Sequence, residues 1–215
     1  MKKYYDEKYF NDYQKKIGEF GGIANLFKFK KFIRPSDAIL DFGCGGGFLL
    51  KNLNAKSKQG VEINPFARNY CKNELKIECF ESIDEINENS IDVIISNHAL
   101  EHTTNPYKII LNLYTKLKKG GIIVFVVPLD HYKFKYDEND VNKHLFSFSP
   151  MNLGNIFSAC GFKIKETGTI FHKWPPFYYL IKQIFGWNFF HLLARIYGRL
   201  SFLWTQTYVV AIKEN

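Results

Sequence analysis

An acidic residue followed by a glycine-rich turn is the clearest chemical signal in the sequence. Asp41 ends an apolar run that begins at Ala38, and glycines follow as Gly43, Gly45 and Gly47. A buried strand, a tight glycine loop and a helix start occur in this order in nucleotide-type cofactor sites. Glycine lets a ligand approach the backbone without meeting a Cβ atom, and the first helical turn offers unpaired N–H groups. The segment therefore predicts a cofactor-binding loop.

The spacing of the glycines distinguishes this loop from a dinucleotide-binding loop. A G-x-G-x-x-G fingerprint that starts at Gly43 requires a third glycine where the sequence has Phe48. The pattern present from Asp41 onward is D-x-G-x-G-x-G, with Cys44 between its first two glycines. This pattern resembles the first motif of class I S-adenosylmethionine-dependent methyltransferases. An ordinary strand-to-helix turn is the alternative interpretation of the loop.

A second acidic residue lies at the end of the next predicted strand. Glu62 follows Asp41 by 21 residues, about the spacing expected within a βαβ unit. A carboxylate at this position can accept hydrogen bonds from both hydroxyls of a ribose. In the resembled family this residue binds the ribose, and the next apolar residue, here Ile63, packs on the adenine. A solvated glutamate at a strand end is the alternative interpretation.

The region from Ser90 to Pro128 extends the resemblance over a strand, a loop, a helix and a further strand. The residues that match the family's block are Asp92, Leu100, Glu101, His102, Pro106, Leu117, Gly120, Gly121 and Pro128. We expect Gly120 and Gly121 to end the helix, because glycine is common at helix C-termini. The resemblance covers about residues 36–165 and implies S-adenosyl-L-methionine as the cofactor.

The resemblance also implies which residues contact the cofactor. They are Asp41, Gly43, Cys44, Gly45, Gly47, Glu62, Ile63, Ser82, Asn97 and His98. The family usually has an acidic residue after the third strand that contacts the adenine amino group. In this sequence the choice stays open between Glu81, Ser82 and a backbone contact.

Histidines cluster near the expected position of the reactive methyl group. Methyl transfer from a sulfonium is an in-line displacement, so the protein mainly aligns the reactants, and a hydroxyl acceptor benefits from a base. His144 is favoured slightly over His98 as that base, because related methyltransferases often direct the corresponding histidine toward the acceptor. A hydrogen-bonded structural role is the alternative for either histidine.

A metal site is the competing interpretation of three of these polar residues. His98, Glu101 and His102 are spaced i, i+3 and i+4, which places them on one face of a predicted helix. Ubiquinone-type O-methyltransferases have a similar Glu-x-x-Glu-His stretch that resembles a metal site, and H-x-x-E-H also occurs in metalloproteases. Because the motif opens the fourth helix of a methyltransferase-like block, we predict that it caps or orients that helix and binds no metal.

Composition predicts one cytoplasmic domain. The 215 residues are 46% apolar and can bury one sizeable core. No signal peptide and no apolar run of membrane-spanning length are visible. The cysteines show no metal-ligand spacing and are expected to be reduced; they are Cys44, Cys71, Cys79 and Cys160.

The alternation of predicted strands and helices favours an α/β fold. We expect a Rossmann-like, doubly wound seven-stranded sheet, mostly parallel with an antiparallel last strand, plus a helical insertion near the C-terminus. Strands are predicted near 37–42, 58–63, 77–80, 91–96, 121–127, 162–170 and 205–212. The single methyltransferase domain 1–215 is divided into an N-terminal helical cap (1–35), a cofactor-binding core (36–129), an acceptor-side region (130–170), the insertion (171–204) and the last strand (205–215).

The predicted insertion 171–204 has an unusual composition. It contains twelve aromatic residues and four positive charges, and no acidic residue occurs between Thr167 and Lys213. Such a segment suits peripheral contact with the inner face of a membrane or with a lipid-linked substrate. A helical lid packed on the core and a dimer face are the alternatives.

These observations favour O-methylation of a small molecule or a sugar/glycan precursor with help from a general base. The sugar acceptor follows only from a resemblance to bacterial methyltransferases that act on surface glycans. The net charge of +8 suggests a nucleic-acid methyltransferase as an alternative. Those that methylate exocyclic amines carry an Asn/Asp-Pro-Pro-aromatic tetrad after the fourth strand, where this sequence has residues 96–99, Ser-Asn-His-Ala, so no nucleic-acid partner is expected. A catalytically inactive binding subunit is the third hypothesis, and the intact acidic residues and glycines argue against it.

Overall fold

The computed structural model describes residues 7–201 and 205–214. The strands in this part of the chain are β1 Ala38–Phe42, β2 Ser57–Val61, β3 Glu78–Phe80, β4 Ile91–Asn97, β5 Leu117–Leu129, β6 Lys163–Ile170 and β7 Thr205–Ile212. The α-helices are α1 Glu7–Tyr9, α2 Lys15–Ala24, α3 Leu26–Phe29, α4 Phe48–Lys51, α5 Pro65–Asn73, α6 Pro106–Lys116, α7 Pro150–Ala159 and α8 Tyr178–Ser201. A π-helical turn spans Phe10–Gln14, and 3₁₀ turns span Lys30–Phe32, Ile83–Glu85 and Leu100–His102.

All seven strands form one sheet in the order β3-β2-β1-β4-β5-β7-β6. Strands β1 to β5 pair in parallel, whereas β7 runs antiparallel to both β5 and β6. The predicted fold is therefore confirmed. Since the strand order changes direction between β1 and β4, the carboxyl ends of these two strands flank the crevice in which such sheets bind ligands.

Both faces of the sheet are covered, which explains the continuous apolar runs of its central strands. Neighbouring residues of β1 point to opposite faces, so that Leu40 joins one hydrophobic cluster and Ile39 joins the other. On the first face Phe125 of β5 packs against Phe157 of α7, with ring centroids 5.3 Å apart. This rigid core holds the strand ends from which the site residues project.

The end of α6 differs from the prediction. Strand β5 begins directly after the helix, so that Gly120 and Gly121 lie within the strand and do not cap α6. Other groups bind the last carbonyls of the helix: the Ser90 N–H donates to the carbonyl of Lys116, and Lys213 Nζ donates to that of Tyr114. The last carbonyls of α6 are therefore bound by groups from other parts of the chain, among them Lys213, and not by a glycine cap.

The N-terminal segment and the insertion before β7 are both mainly helical. Helices α1 to α3, with the π-helical turn and the first 3₁₀ turn, account for most of the predicted N-terminal segment from Tyr4 to Ile33, of which residues 4–6 lie outside the described part. Helix α8 occupies most of the insertion 171–204, and Phe202 and Trp204 lie outside the described residues. In the described ranges, no helix combines the length and the hydropathy needed to cross a membrane.

Candidate cofactor and acceptor site

The loop after β1 adopts the backbone conformation that its glycines permit. Gly43, Gly45 and Gly47 all have positive φ angles, of 75°, 53° and 80°. A Cβ atom on Gly43 would lie 2.3 Å from the Cβ of Ala99, so the loop also requires a glycine for space. The D-x-G-x-G-x-G pattern is therefore a structural requirement of this loop.

The carboxylate of Glu62 ties this loop to the end of β2. Its Oε2 accepts a hydrogen bond from the Gly45 N–H at 2.8 Å, and its Oε1 accepts one from the Asn64 N–H at 2.8 Å. Glu62 is only 8% exposed, and burial raises its pKa although both backbone hydrogen bonds oppose the shift. A carboxylate oxygen can accept more than one hydrogen bond, so Glu62 retains acceptor capacity toward a ligand.

Asp41 is the second buried carboxylate at this loop. Its Oδ1 has no hydrogen-bond partner among the described residues, and burial raises its pKa well above the usual range. A buried acceptor without a donor costs free energy unless a ligand supplies one. This atom therefore fits a cofactor that brings a hydrogen-bond donor or a positive charge to the loop.

Two cavities meet above the carboxyl ends of the strands. The first has a volume of about 580 Å³ and contains Glu62, Ile63 and Ser82 in its wall. The second has a volume of about 310 Å³ and is lined by Asp41, by the glycine loop and by the histidines. Nine of the ten predicted cofactor residues line one or both cavities: Asp41, Gly43, Cys44, Gly45, Glu62, Ile63, Ser82, Asn97 and His98.

Gly47 lines neither cavity. A Cβ atom there would lie 2.6 Å from the Cys71 sulfur, so its role is to let the loop pack on the core.

The two side chains considered for the adenine contact both have partners within the protein. Ser82 caps a 3₁₀ turn by accepting a hydrogen bond from the Asp84 N–H, and Glu81 pairs with Arg68 at 3.1 Å. Both Glu81 and Ser82 line the first cavity, so the choice for the adenine contact stays open.

The predicted helical face of His98, Glu101 and His102 is wrong. His98 has a positive φ of 59°, and a 3₁₀ turn from Leu100 to His102 follows it. Helix α6 begins only at Pro106, where the Asn105 side chain caps it. The His98 N–H instead extends the pairing of β4 with β5 by donating to the Val126 carbonyl, and the left-handed backbone of His98 is incompatible with a right-handed helix.

A buried lysine that sequence reasoning missed lies beside His98. Lys28 Nζ donates hydrogen bonds to Asn97 Oδ1 at 2.8 Å and to Gln206 Oε1 at 2.6 Å. Gln206 Oε1 also lies 3.1 Å from His98 Nε2. Burial lowers the pKa of Lys28 to about 7 and that of His98 to about 3. His98 is therefore neutral near pH 7, and one of its ring nitrogens is already engaged.

His144 has the geometry of an oriented base. Its Nδ1 lies 2.9 Å from Asp130 Oδ1, and the side chain lines the second cavity. A carboxylate that binds one ring nitrogen fixes the imidazole orientation and leaves the other nitrogen for a substrate proton. Asp130 was not among the predicted site residues, because an acidic residue one position after β5 has no distinctive local pattern.

Glu101 and His102 lie beside His144, within the same cavity. One ligand atom from each of the three side chains lies within 4.8 Å of the others. The Glu101 side chain is completely buried, and neither of its carboxylate oxygens has a hydrogen-bond partner among the residues described. A carboxylate and two imidazoles also form a donor set that suits a divalent cation.

Three cysteines that are far apart in sequence meet under the glycine loop. Cys44, Cys71 and Cys79 are buried free thiols whose sulfur atoms lie within 4.8 Å of one another. Local spacing could not reveal this group, because its members come from the loop, α5 and β3. The three thiols belong to the hydrophobic core, where free cysteine packs as a small apolar side chain.

The buried Glu101 predicts a specific pH dependence of stability. Burial raises its pKa from 4.5 to about 8, although Lys28 opposes the shift. Between pH 4.5 and about 8, the folded protein retains the proton of Glu101, whereas the unfolded chain releases it. The free energy of unfolding of the wild type should therefore fall relative to that of Glu101→Gln as the pH rises through this range. Denaturant unfolding of both proteins at the two ends of the range measures this difference. Parallel stability curves would contradict a protonated buried carboxyl group.

Comparison with known proteins agrees with this geometry. A family model described as a methyltransferase domain matches residues 5–167. A ubiquinone biosynthesis O-methyltransferase of Rickettsia canadensis is 27% identical over 179 residues, which cover 73% of this chain and 75% of that protein. Matches to two further relatives from Rickettsia bellii span 40% of their length.

Solved structures show the same fold. A S-adenosylmethionine-dependent methyltransferase from Thermotoga maritima superposes with a TM-score of 0.70 at 16% identity and covers 100% of both chains. A phosphoethanolamine N-methyltransferase from Haemonchus contortus, solved with S-adenosylhomocysteine, has a TM-score of 0.60 at 15% identity and covers 96% of this chain and 60% of its own. The chain therefore belongs to the class I S-adenosylmethionine-dependent methyltransferases, and S-adenosyl-L-methionine is its cofactor.

Proposed function

We propose that this enzyme methylates a hydroxyl oxygen of a small-molecule or sugar-type acceptor. The observation that carries the proposal is the Asp130–His144 pair, joined at 2.9 Å in the wall of the second cavity. A hydroxyl group is a weak nucleophile near neutral pH and gains most from such a base. The Rickettsia relative, named as an O-methyltransferase, supports oxygen as the methylated atom.

The cofactor occupies the first cavity and the glycine loop in this proposal. Glu62 accepts hydrogen bonds from the ribose hydroxyls, and Ile63 packs on the adenine. The Oδ1 of Asp41, which has no hydrogen-bond partner among the described residues, would accept a hydrogen bond from the methionine part of the cofactor. The second cavity, which His144 lines, would then hold the acceptor.

The chain's own residues then align the acceptor and accept its proton. When bound, S-adenosyl-L-methionine would supply an activated methyl group, and its transfer to the acceptor oxygen would leave the electron pair of the broken carbon–sulfur bond on sulfur. The hydroxyl proton passes to His144 Nε2, and Asp130 stabilises the resulting imidazolium. His98 is the weaker candidate for the base, because Gln206 already lies within hydrogen-bond distance of its Nε2.

A metal-assisted reaction is the second candidate. The observation that favours it is the completely buried Glu101 carboxylate, which has no hydrogen-bond partner among the described residues and lies 3.6 Å from His102 Nε2 and beside His144. These three side chains would hold a divalent cation, which would act as a Lewis acid on the acceptor oxygen. The prediction that the enzyme binds no metal stays a prediction.

Loss of the Glu62 carboxylate should weaken cofactor binding. Glu62→Ala removes the proposed ribose acceptors and the bond that holds the Gly45 N–H, so the dissociation constant for S-adenosylhomocysteine should rise about 10- to 100-fold. Titration calorimetry measures this change, with Glu78→Ala as the control for an exposed carboxylate of β3 that accepts a hydrogen bond from Gln59 and lines neither cavity. Equal affinity of Glu62→Ala and wild type would exclude the proposed ribose contact.

Loss of the base should lower turnover more than cofactor affinity. We expect His144→Ala to lose about 10²- to 10⁴-fold in kcat, and Asp130→Asn to lose part of that amount. Screening with catechol-type and sugar-type hydroxyl acceptors provides the assay, and His131→Ala is the control histidine from the same loop. If kcat is retained in both His144→Ala and His98→Ala, alignment alone accounts for the reaction.

Chelation separates the two candidate mechanisms. The Asp130–His144 pair needs no metal, so dialysis against EDTA should leave turnover of the wild-type enzyme unchanged. Activity that disappears on dialysis and returns with Mg²⁺, Mn²⁺ or Zn²⁺ would contradict this expectation. That result would assign Glu101, His102 and His144 as the metal ligands.

A further inference from the structure

Helix α8 exposes an unusual number of large apolar side chains. They continue from the residue before the helix to its last turn: Phe177, Leu180, Ile184, Phe185, Phe189, Leu192, Ile196 and Leu200. Phe177 is 81% exposed and Leu200 is 70% exposed. Isolated exposed apolar residues are common on protein surfaces, but a contiguous group of this kind marks an interaction site.

The opposite face of α8 is firmly attached to the protein. Phe190, Ala194 and Gly198 are buried at a spacing of four residues, so they form one stripe along the helix. Phe190 packs against Phe20 of α2 with ring centroids 5.2 Å apart, and Trp187 packs against the same ring at 5.0 Å. The exposed face is therefore not the inner surface of a lid awaiting closure, because the helix already uses its other face for the core.

Positive charges accompany the exposed apolar side chains. Arg195 and Arg199 are exposed on the helix, and the Lys182 ammonium lies 5.5 Å from the centre of the Trp187 ring. No acidic residue occurs between Thr167 and Lys213. Basic and aromatic residues on one apolar helix face are the combination found in helices that lie in the plane of a membrane surface.

A break in α8 permits a long contact surface. Gly186 has φ 75° and ψ −179°, which interrupts the helix between Phe185 and Trp187. A Cβ atom there would meet no other atom within 4 Å, so the glycine serves the backbone conformation and not packing. The break divides α8 into two shorter helical pieces, each of which has exposed apolar residues and packs on Phe20 through another residue, Tyr178 in the first piece and Phe190 in the second.

From these observations we infer that the outer face of α8 docks on an anionic lipid surface. The apolar side chains enter the boundary between headgroups and acyl chains, while Lys182, Arg195 and Arg199 contact the anionic headgroups. A second copy of the chain is a poorer occupant. A symmetric dimer would place this patch against itself and bring its positive charges together without an acidic partner.

The position of the docking face relates it to the acceptor cavity. Trp174, which precedes α8, lines the second cavity and packs edge-on against Phe20 at 4.9 Å. Phe20 in turn contacts the inner face of α8. A protein docked through α8 would therefore hold the acceptor cavity close to the lipid surface, which suits an acceptor carried on a lipid. The docking itself rests on the fold and does not depend on the proposed O-methylation.

Vesicle flotation of the wild-type protein tests the inference. Vesicles of phosphatidylcholine mixed with phosphatidylglycerol should bind the protein at low salt, whereas pure phosphatidylcholine vesicles should bind far less, and high salt should release it. Neutralising Lys182, Arg195 and Arg199 together to Gln should weaken binding roughly a hundredfold. The matched control replaces three exposed lysines outside α8, Lys72, Lys76 and Lys119, by Gln and should bind nearly as wild type does.

A second pair of variants tests the apolar contribution. Ile184→Ser with Phe185→Ser should reduce vesicle binding at least about tenfold, whereas Tyr132→Ser with Tyr136→Ser, two residues outside α8 that are even more exposed, should not. Calorimetric binding of S-adenosylhomocysteine verifies that each variant is folded. Absence of binding to anionic vesicles at low salt would overturn the inference and leave the proposed reaction untouched. Sedimentation that reveals a dimer lost in the α8 variants, without vesicle binding, would assign the face to a second copy.

Discussion

The Glu62 carboxylate holds the cofactor side of the site together. It accepts one hydrogen bond from the Gly45 N–H of the loop after β1 and one from the Asn64 N–H after β2. These two segments leave neighbouring parallel strands, so the carboxylate fixes the loop relative to the carboxyl ends of the strands, where sheets of this kind bind ligands. In this fixed arrangement, the loop glycines have positive φ angles and the Asp41 carboxylate is buried beside the loop.

The proposed acceptor side of the site, in contrast, is assembled from segments that lie far apart in the sequence. Lys28 comes from the N-terminal helices, His98 from the end of β4 and Gln206 from β7, and hydrogen-bond contacts join them. Asp130 and His144 belong to the long connection between β5 and α7. The backbone carbonyl of Glu101 accepts hydrogen bonds from the N–H groups after His144, which anchors this connection over the cavity. The acceptor cavity therefore depends on the whole fold and not on one motif.

Predictions from the sequence were correct where a local pattern of residues determines the structure. The strand–glycine–helix pattern and the spacing of Glu62 predicted the fold, and nine of the ten predicted cofactor residues line the two cavities. The helical face of His98, Glu101 and His102 failed because β4 pairing continues through the His98 N–H, a tertiary effect that periodicity does not contain. Lys28 and Asp130 were missed for the same reason, since only the folded chain brings a helical lysine and a loop aspartate to the site.

The structure of the complex with S-adenosylhomocysteine tests the central claim most directly. We expect both ribose hydroxyls within hydrogen-bond distance of the Glu62 carboxylate, and the sulfur atom facing the cavity that contains His144. Adenosine bound outside the cavity lined by Glu62, Ile63 and Ser82 would contradict the account. A sulfur atom directed away from the Asp130–His144 pair would contradict the proposed base and leave the cofactor site in place.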